Sequence, residues 1–204
     1  MICLSWNCRG LTSKPKKLAL KELISRYNPD LVFLQETLGR GVDLEPVLNS
    51  LLPGWTFAAL DAEGHSGGLA IGCRDGRLKI LSFWGMQNVM GMEVIYPDFD
   101  FSFVVVNVYG PCQARVAFWN AFMSKYLLNG KNLIIGGDLN FSLVNAEAWG
   151  PSARIDPLSD YFAHLLLSHK LIDVNFIKAK PTWRNRRTGE ERIAKRLDRF
   201  LIMT

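Results

Sequence analysis

The 204-residue sequence predicts one α/β domain, a mixed β-sheet core covered by helices. Three observations point there. Short apolar runs alternate with stretches of helical periodicity. Some runs are separated by a helix and others by a tight turn, so parallel and antiparallel pairings both occur. Hydrophobic residues make up 49% of the chain, enough to bury a core. Neither an internal repeat nor a low-complexity linker divides the chain, and residues 1–204 are expected to form a single domain.

The elements follow in order. MICLSW is a short apolar strand. Ser13 can cap the next helix, with Pro15 in its first turn and Leu20, Leu23, Ile24 and Tyr27 on one face. Asn28-Pro29-Asp30 ends it, because the residue before a proline is pushed out of helical geometry, and LVFLQ is the next strand. Beyond it, residues 39–60 signal little except a helix around Leu44 to Leu51. Gly67 to Cys73 and Lys79 to Trp84 read as one antiparallel hairpin joined through Arg74-Asp75-Gly76. FSFVVVNV, Phe101 to Val108, is a buried strand. Val116, Trp119, Met123 and Leu127 mark a second clear helix, and NLIIGG follows as a strand. Asp156-Pro157 opens a third, with Leu158, Tyr161, Phe162 and Leu165 on one face. PTWRN, a turn at Arg187-Thr188-Gly189 and a strand within RLDRFLIM complete the chain.

Charge is unevenly placed. Between Lys178 and Arg199 lie nine Lys/Arg and three acids, a net of +6, while the whole chain carries +5. The positive excess therefore sits in one stretch, which also holds Thr182, Trp183 and Asn185. Clustered cations with an aromatic suit a phosphate-rich partner, since they neutralise phosphates and release counterions. The four cysteines (Cys3, Cys8, Cys73, Cys112) are scattered without a C-x-x-C pair, which fits a reducing compartment, nucleus or cytoplasm. The chain carries no signal-peptide pattern, and no apolar run approaches the roughly 18 residues of a membrane span.

The chemistry lies at the strand ends. MICLSW ends in Asn7, LVFLQ in Glu36, FSFVVVNV in Tyr109, and NLIIGG delivers Asp138 and Asn140. Residues two apart on an extended chain point the same way, so Asp138 and Asn140 are expected to address one spot. In sheet-and-helix domains, ligand sites gather at strand ends and their loops. Two carboxylates, two amides and a phenol make an oxygen-rich set suited to a hard cation such as Mg²⁺, or to Mn²⁺ with the same ligands. No Cys/His cluster is available for zinc.

The series SWN at 5–7, LQET at 34–37, SGGLAI at 66–71, NVYGP at 107–111, GGDLN at 136–140 and RLDRFL at 196–201 resembles the endonuclease/exonuclease/phosphatase superfamily. MICLSWNCRGL, DLVFLQET, TWRN and RLDRFL look more narrowly like the endonuclease domain of non-LTR (LINE-type) retrotransposons, most like those of plants. The resemblance implies a DNase I-like, four-layered sandwich of two mixed sheets flanked by helices, and Mg²⁺-dependent phosphodiester hydrolysis. It implies that Glu36 holds the metal with Asn7 beside it, that Asp138 orients and deprotonates water, and that Asn140 and Tyr109 steady the phosphate. Asp198 corresponds to an acid that aligns a catalytic histidine. The implied substrate is duplex DNA, nicked to leave a 3′-hydroxyl for a reverse transcriptase domain in the same longer reading frame. Arg9, Trp183, Arg184, Asn185, Arg186, Arg187 and Arg196 are the expected grip on the nucleic acid.

The sequence also departs from the family pattern. The Ser-Asp-His segment that follows Asp198 in the superfamily does not occur before Thr204. Of the three histidines, His65 sits in a glycine turn, His164 inside the third helix and His169 at its end, and each reads as structural. The chain is therefore expected to lack the final strand, to leave a neighbouring strand edge unpaired, and to cut weakly or not at all. Arg9 and Cys112 replace an acid and an amide common in abasic-site enzymes, which argues against that specificity. Two other readings stand beside the nuclease: a catalytically dead nucleic-acid-binding domain, and a phosphatase or phosphodiesterase acting on a smaller substrate.

Overall fold

The computed structural model describes residues 1–63, 66–97, 101–125, 132–175 and 180–203. His65, Leu127 and Lys178 lie outside the described residues. Two β-sheets face one another, each with helices on its outer side. The first has four strands, β1 (Cys3–Asn7), β2 (Leu31–Gln35), β3 (Trp55–Glu63) and β4 (Ser66–Arg74), in the order β1-β2-β4-β3. Helices α1 (Lys14–Tyr27) and α2 (Gly41–Leu51) connect its strands.

The second sheet has six strands. They are β5 (Lys79–Met86), β6 (Val89–Ile95), β7 (Ser102–Tyr109), β8 (Asn132–Asp138), β10 (Leu171–Asp173) and β13 (Asp198–Met203), in the order β10-β13-β8-β7-β6-β5. Helix α3 (Arg115–Met123) makes the parallel crossover from β7 to β8, and α4 (Ser159–Ser168) precedes β10. Three two-residue strands, β9 (Ala148–Trp149), β11 (Trp183–Arg184) and β12 (Ala194–Lys195), form a small ribbon, ordered β11-β12-β9.

Alternation along the central strands builds the layers. Leu31 and Phe33 of β2 turn toward Val105 and Phe103 of β7, filling the space between the sheets. Val32 and Leu34 turn outward onto Leu20 and Ile24 of α1 and Leu44 and Leu48 of α2. Val104, Val106 and Val108 turn the other way, onto Trp119 and Phe122 of α3 and Phe162 and Leu166 of α4. Three apolar interfaces separate four layers, the expected α/β sandwich.

Several sequence expectations need correction. The Asp75-Gly76 turn exists, with the Arg77 amide donating to the Arg74 carbonyl at 3.2 Å. It does not close a hairpin: β4 pairs with β2 and β3, whereas β5 pairs with β6, so the turn carries the chain from one sheet to the other. Strands β3 and β6 have no clear sequence signal. Ser13 occupies the N-cap position of α1 without a side-chain capping bond. Among the described residues β1 pairs only with β2 and forms one edge of its sheet.

Candidate metal and phosphodiester site

The parallel and antiparallel ladders bring the predicted residues to the same end of the sandwich. Tyr109 and Asp138 are register partners across β7 and β8, and Asp138 is the partner of Asp198 across β8 and β13. Facing them from the other sheet are Asn7, ending β1, and Glu36, immediately after β2. The Asn7 side chain crosses the gap. Its Nδ2 donates to Glu36 Oε1 at 2.7 Å and to Asp138 Oδ2 at 2.8 Å, so one amide ties a carboxylate of each sheet.

The two glycines before Asp138 explain how so apolar a strand delivers a carboxylate so close to its neighbours. Gly137 has φ +138, and a Cβ there would lie 2.0 Å from the Val108 carbonyl oxygen. Only glycine lets β8 approach β7 this closely. Across the gap, Gly10 N donates to the Glu36 carbonyl at 2.7 Å and Leu11 N to that of Thr37 at 3.0 Å. These bonds hold Glu36 in the left-handed region at φ 51.

Electrostatics follow from crowding. Asp138 is 5% exposed, and burial pushes its carboxyl above the usual range despite bonds from Asn7 and from the Asn140 amide. Burial, then the Asp138 charge, raises Asp198 to about 7, while Thr182 and Arg9 act in the opposite direction. Burial also raises the Tyr109 phenol, and so do the Glu36 charge and a hydrogen bond to it.

The described residues contain no group of three or more His, Cys, Asp or Glu side chains placed to hold a metal ion. The donors present are instead an amide and carboxylates. Asn7 Oδ1 is buried and has no hydrogen-bond partner, an expensive state for a polar atom unless a cation or water meets it. Together with the Glu36 carboxylate it forms an oxygen set that fits a hard divalent cation.

Asn140 arrives by a different route from the one its spacing implies. The strand ends at Asp138, and Asn140 is left-handed at φ 54, so the extended i, i+2 geometry does not apply. Its backbone N–H reaches Asp138 Oδ1 at 3.3 Å, while its Nδ2 donates to the Gly110 carbonyl at 2.5 Å.

A cleft of about 580 Å³ opens on this site, lined by Asn7, Arg9, Asp138 and Asp198 together with Thr182, Trp183, Arg184 and Arg186. Four of the seven residues expected to grip nucleic acid therefore converge beside the carboxylates. Three do not. The Arg196 side chain is only 4% exposed and bonds Glu147 and Asp173, so it is a core ion-pair residue and cannot reach a ligand. Asn185 is consumed by its own turn, donating to the Glu191 carbonyl at 2.7 Å and accepting from Arg187 N and Ile193 N. Arg187 pairs with Glu191 on the surface at 3.1 Å, outside the cleft lining. A second cleft, about 790 Å³, borders Tyr109 and Cys112 and has no Lys or Arg in its lining.

Thr182, placed by the sequence in the basic stretch without a role, has a hydroxyl oxygen that accepts from the backbone N–H groups of Leu197 and Asp198 at 3.0 and 3.1 Å and so pins the start of β13. Sequence reasoning missed two buried amides, Gln35 and Asn107. The only signal for either is an amide interrupting the inward-facing apolar series of its strand.

The family model described as Endonuclease/Exonuclease/phosphatase family matches residues 4–202. A search of curated proteins gave no match. Among solved structures, the endonuclease domain of TRAS1, a telomere-specific non-LTR retrotransposon, is 17% identical, with a TM-score of 0.70 over 98% of this chain and 84% of that one. A 3′-5′ exonuclease from Neisseria meningitidis is 18% identical, with a TM-score of 0.74 over 100% and 87%. The catalytic domain of Xenopus laevis APE2 is 16% identical, with a TM-score of 0.76 over 100% and 82%. These likenesses share the two-sheet sandwich described above.

Proposed function

The chain belongs to the endonuclease/exonuclease/phosphatase family, and from that membership we propose that it is a single-domain, divalent-metal-dependent phosphodiester hydrolase that nicks duplex DNA, of the non-LTR (LINE-type) retrotransposon kind. The observation that carries the reading is the Asn7 bridge: one amide within 2.8 Å of carboxylates from both sheets, beside a cleft with three arginines and two tryptophans. The likeness to the endonuclease domain of a telomere-specific non-LTR retrotransposon supports the narrower assignment.

Each residue then has a task. Glu36 and the unpartnered Oδ1 of Asn7 would hold the cation, Mg²⁺ or Mn²⁺, which when bound supplies Lewis-acid neutralisation of the phosphate oxygens. Asp138, its proton affinity raised by burial, accepts the proton of the attacking water. With Glu36 turned to the cation, the Tyr109 hydroxyl that otherwise donates to it and the Asn140 Nδ2 hydrogen not given to Gly110 donate toward phosphate oxygens as charge builds on them. Asp198, beside Asp138 and raised to about 7, stands as a second carboxyl near the water. Arg9, Arg184 and Arg186 neutralise backbone phosphates, and Trp183 offers a face on which a base can stack. A reverse transcriptase in the same polypeptide is the partner this reading implies.

Plasmid nicking tests it. With Mg²⁺ the protein should relax supercoiled plasmid, and Asp138→Ala should abolish that. Equal nicking by wild type and variant overturns the assignment. A salt-sensitive gel shift of duplex DNA with no cleavage would instead favour a domain that binds but does not cut.

A further inference from the structure

The two sheets each supply half of the candidate site, so its geometry depends on how they are docked. Apolar contacts between sheets are individually weak and tolerate sliding, whereas hydrogen bonds fix position within a few tenths of an ångström. One such lock lies directly beneath the site. On β7 the inward column runs Phe103, Val105, Asn107, Tyr109, and on β2 it runs Leu31, Phe33, Gln35. Both columns are apolar until the last layer before the site, where each becomes an amide that is 0% exposed.

The two amides bond each other and both sheets. Gln35 Nε2 donates to Asn107 Oδ1 at 2.6 Å. Asn107 Nδ2 donates to the Leu34 carbonyl at 2.9 Å and the Ala70 carbonyl at 3.0 Å, which belong to paired residues of β2 and β4 in the opposite sheet. Gln35 Nε2 also reaches Ser5 Oγ on β1 at 3.1 Å. The chain Ser5–Gln35–Asn107 therefore joins three strands across the sandwich. Each member sits one or two residues before a site residue: Ser5 before Asn7, Gln35 before Glu36, Asn107 before Tyr109.

We infer that Gln35 and Asn107 are positioning residues, an inter-sheet staple that holds Asn7 and Glu36 in register with Tyr109 and Asp138. The inference rests on the hydrolase reading. Neither amide touches substrate. Their effect is on the spacing of groups that do, and a misplacement of about 1 Å costs roughly a hundredfold in rate.

A pair of variants separates positioning from mere packing. Asn107→Leu orphans a buried polar partner and lowers stability. Gln35→Leu combined with Asn107→Leu removes both members of the amide pair, but the Leu34 and Ala70 carbonyls and Ser5 Oγ still lose a donor, so it recovers only part of that loss. The double variant should thus melt above Asn107→Leu yet nick supercoiled plasmid about 10- to 100-fold more slowly than wild type, with a several-fold weaker Mn²⁺ dissociation constant by calorimetric titration. Its affinity for duplex DNA should fall far less than its nicking rate, because Arg184 on the separate ribbon and Arg186 just beyond it do not depend on the amide pair. Should the single variant fail to fold, the double variant carries the test. A double variant with wild-type melting, nicking and Mn²⁺ affinity overturns the staple. A wild type that neither nicks nor takes up Mn²⁺ refutes the hydrolase reading itself.

Discussion

Replacing Arg199 by methionine should cost about 3 kcal/mol of stability, near the lower end of the range for breaking a buried ion pair. The Arg199 side chain is fully buried between Glu147 and Asp173, whose own side chains are 10% and 15% exposed. It also donates to the Phe141 carbonyl at 3.3 Å and lies 5.0 Å from the Phe141 ring centroid. Deleting the guanidinium leaves two buried carboxylates facing one remaining cation. Arg196 still bonds Glu147 at 2.7 Å and Asp173 at 2.6 and 2.8 Å, and this sets the cost near the bottom of the range. For a chain of this size, each kcal/mol moves the midpoint by about 2–4 °C, so thermal unfolding by circular dichroism should fall by about 6–12 °C.

The acid limb gives a second readout. Burial alone pushes the Glu147 carboxyl up, but hydrogen bonds from Arg199, Leu143 N–H and Arg196 outweigh it and hold the group below its ordinary value. A carboxylate depressed in the folded state contributes stability that is complete above its unfolded pKa and is lost as pH falls through the folded one. Removing Arg199 should flatten that decline. A loss below about 1 kcal/mol, together with an unchanged acid slope, would refute the reading of Arg199 as the centre of a buried ion-pair cluster.

Arg184→Ala and Arg186→Ala should each weaken DNA binding across sequences and reduce the salt slope by about one, whereas Arg196→Ala should lower the melting point and leave the slope alone; filter binding at several salt concentrations distinguishes them. Asp198→Asn should stabilise the protein at pH 8 but not at pH 4. The aspartate's folded pKa is raised to about 7, so its unfavourable ionised form develops as pH rises through that value; melting curves at the two pH values check this. Gly137→Ala should fold poorly, because a Cβ would meet the Val108 carbonyl at 2.0 Å in a backbone region unsuited to L side chains. Soluble yield and circular dichroism would report it.

Much of this architecture is legible in the residues. LVFLQ, FSFVVVNV and NLIIGG are apolar runs bounded by turn or polar residues, and the four-residue spacing of Leu20 and Ile24 marks α1 plainly. Strand β6, VMGMEVI, escapes because most of it is buried on both faces and shows no alternation, and because Gly91 interrupts it where the Trp84 ring lies against the backbone. Strand β3 carries small alanines where a β-branched run would have announced it. A dipeptide such as Asp75-Gly76 reports that the chain reverses, not which sheet receives it.

The site is partly readable for a similar reason. Strand ends that converge carry polar residues, and those can be found one by one in the sequence. What a side chain is bonded to cannot. Arg196 and Asn185 look like any basic or amide contact until Glu147, 49 residues away, and the Glu191 carbonyl claim them. Gln35 and Asn107 are single amides in apolar strands, and their meaning depends on a partner 72 residues distant.

Every described strand before Asp75 belongs to the four-stranded sheet, and every one after it to the six-stranded sheet or the ribbon. During synthesis the first 74 residues therefore leave the ribosome with Leu31, Phe33 and Ile71 uncovered until Val105 and Ile134 follow, a wait of roughly sixty residues or about 3–12 s. That single passage is also a natural place to divide the gene: two polypeptides cut at Gly76 would each carry an incomplete set of reactive groups, and mixing them would restore the set.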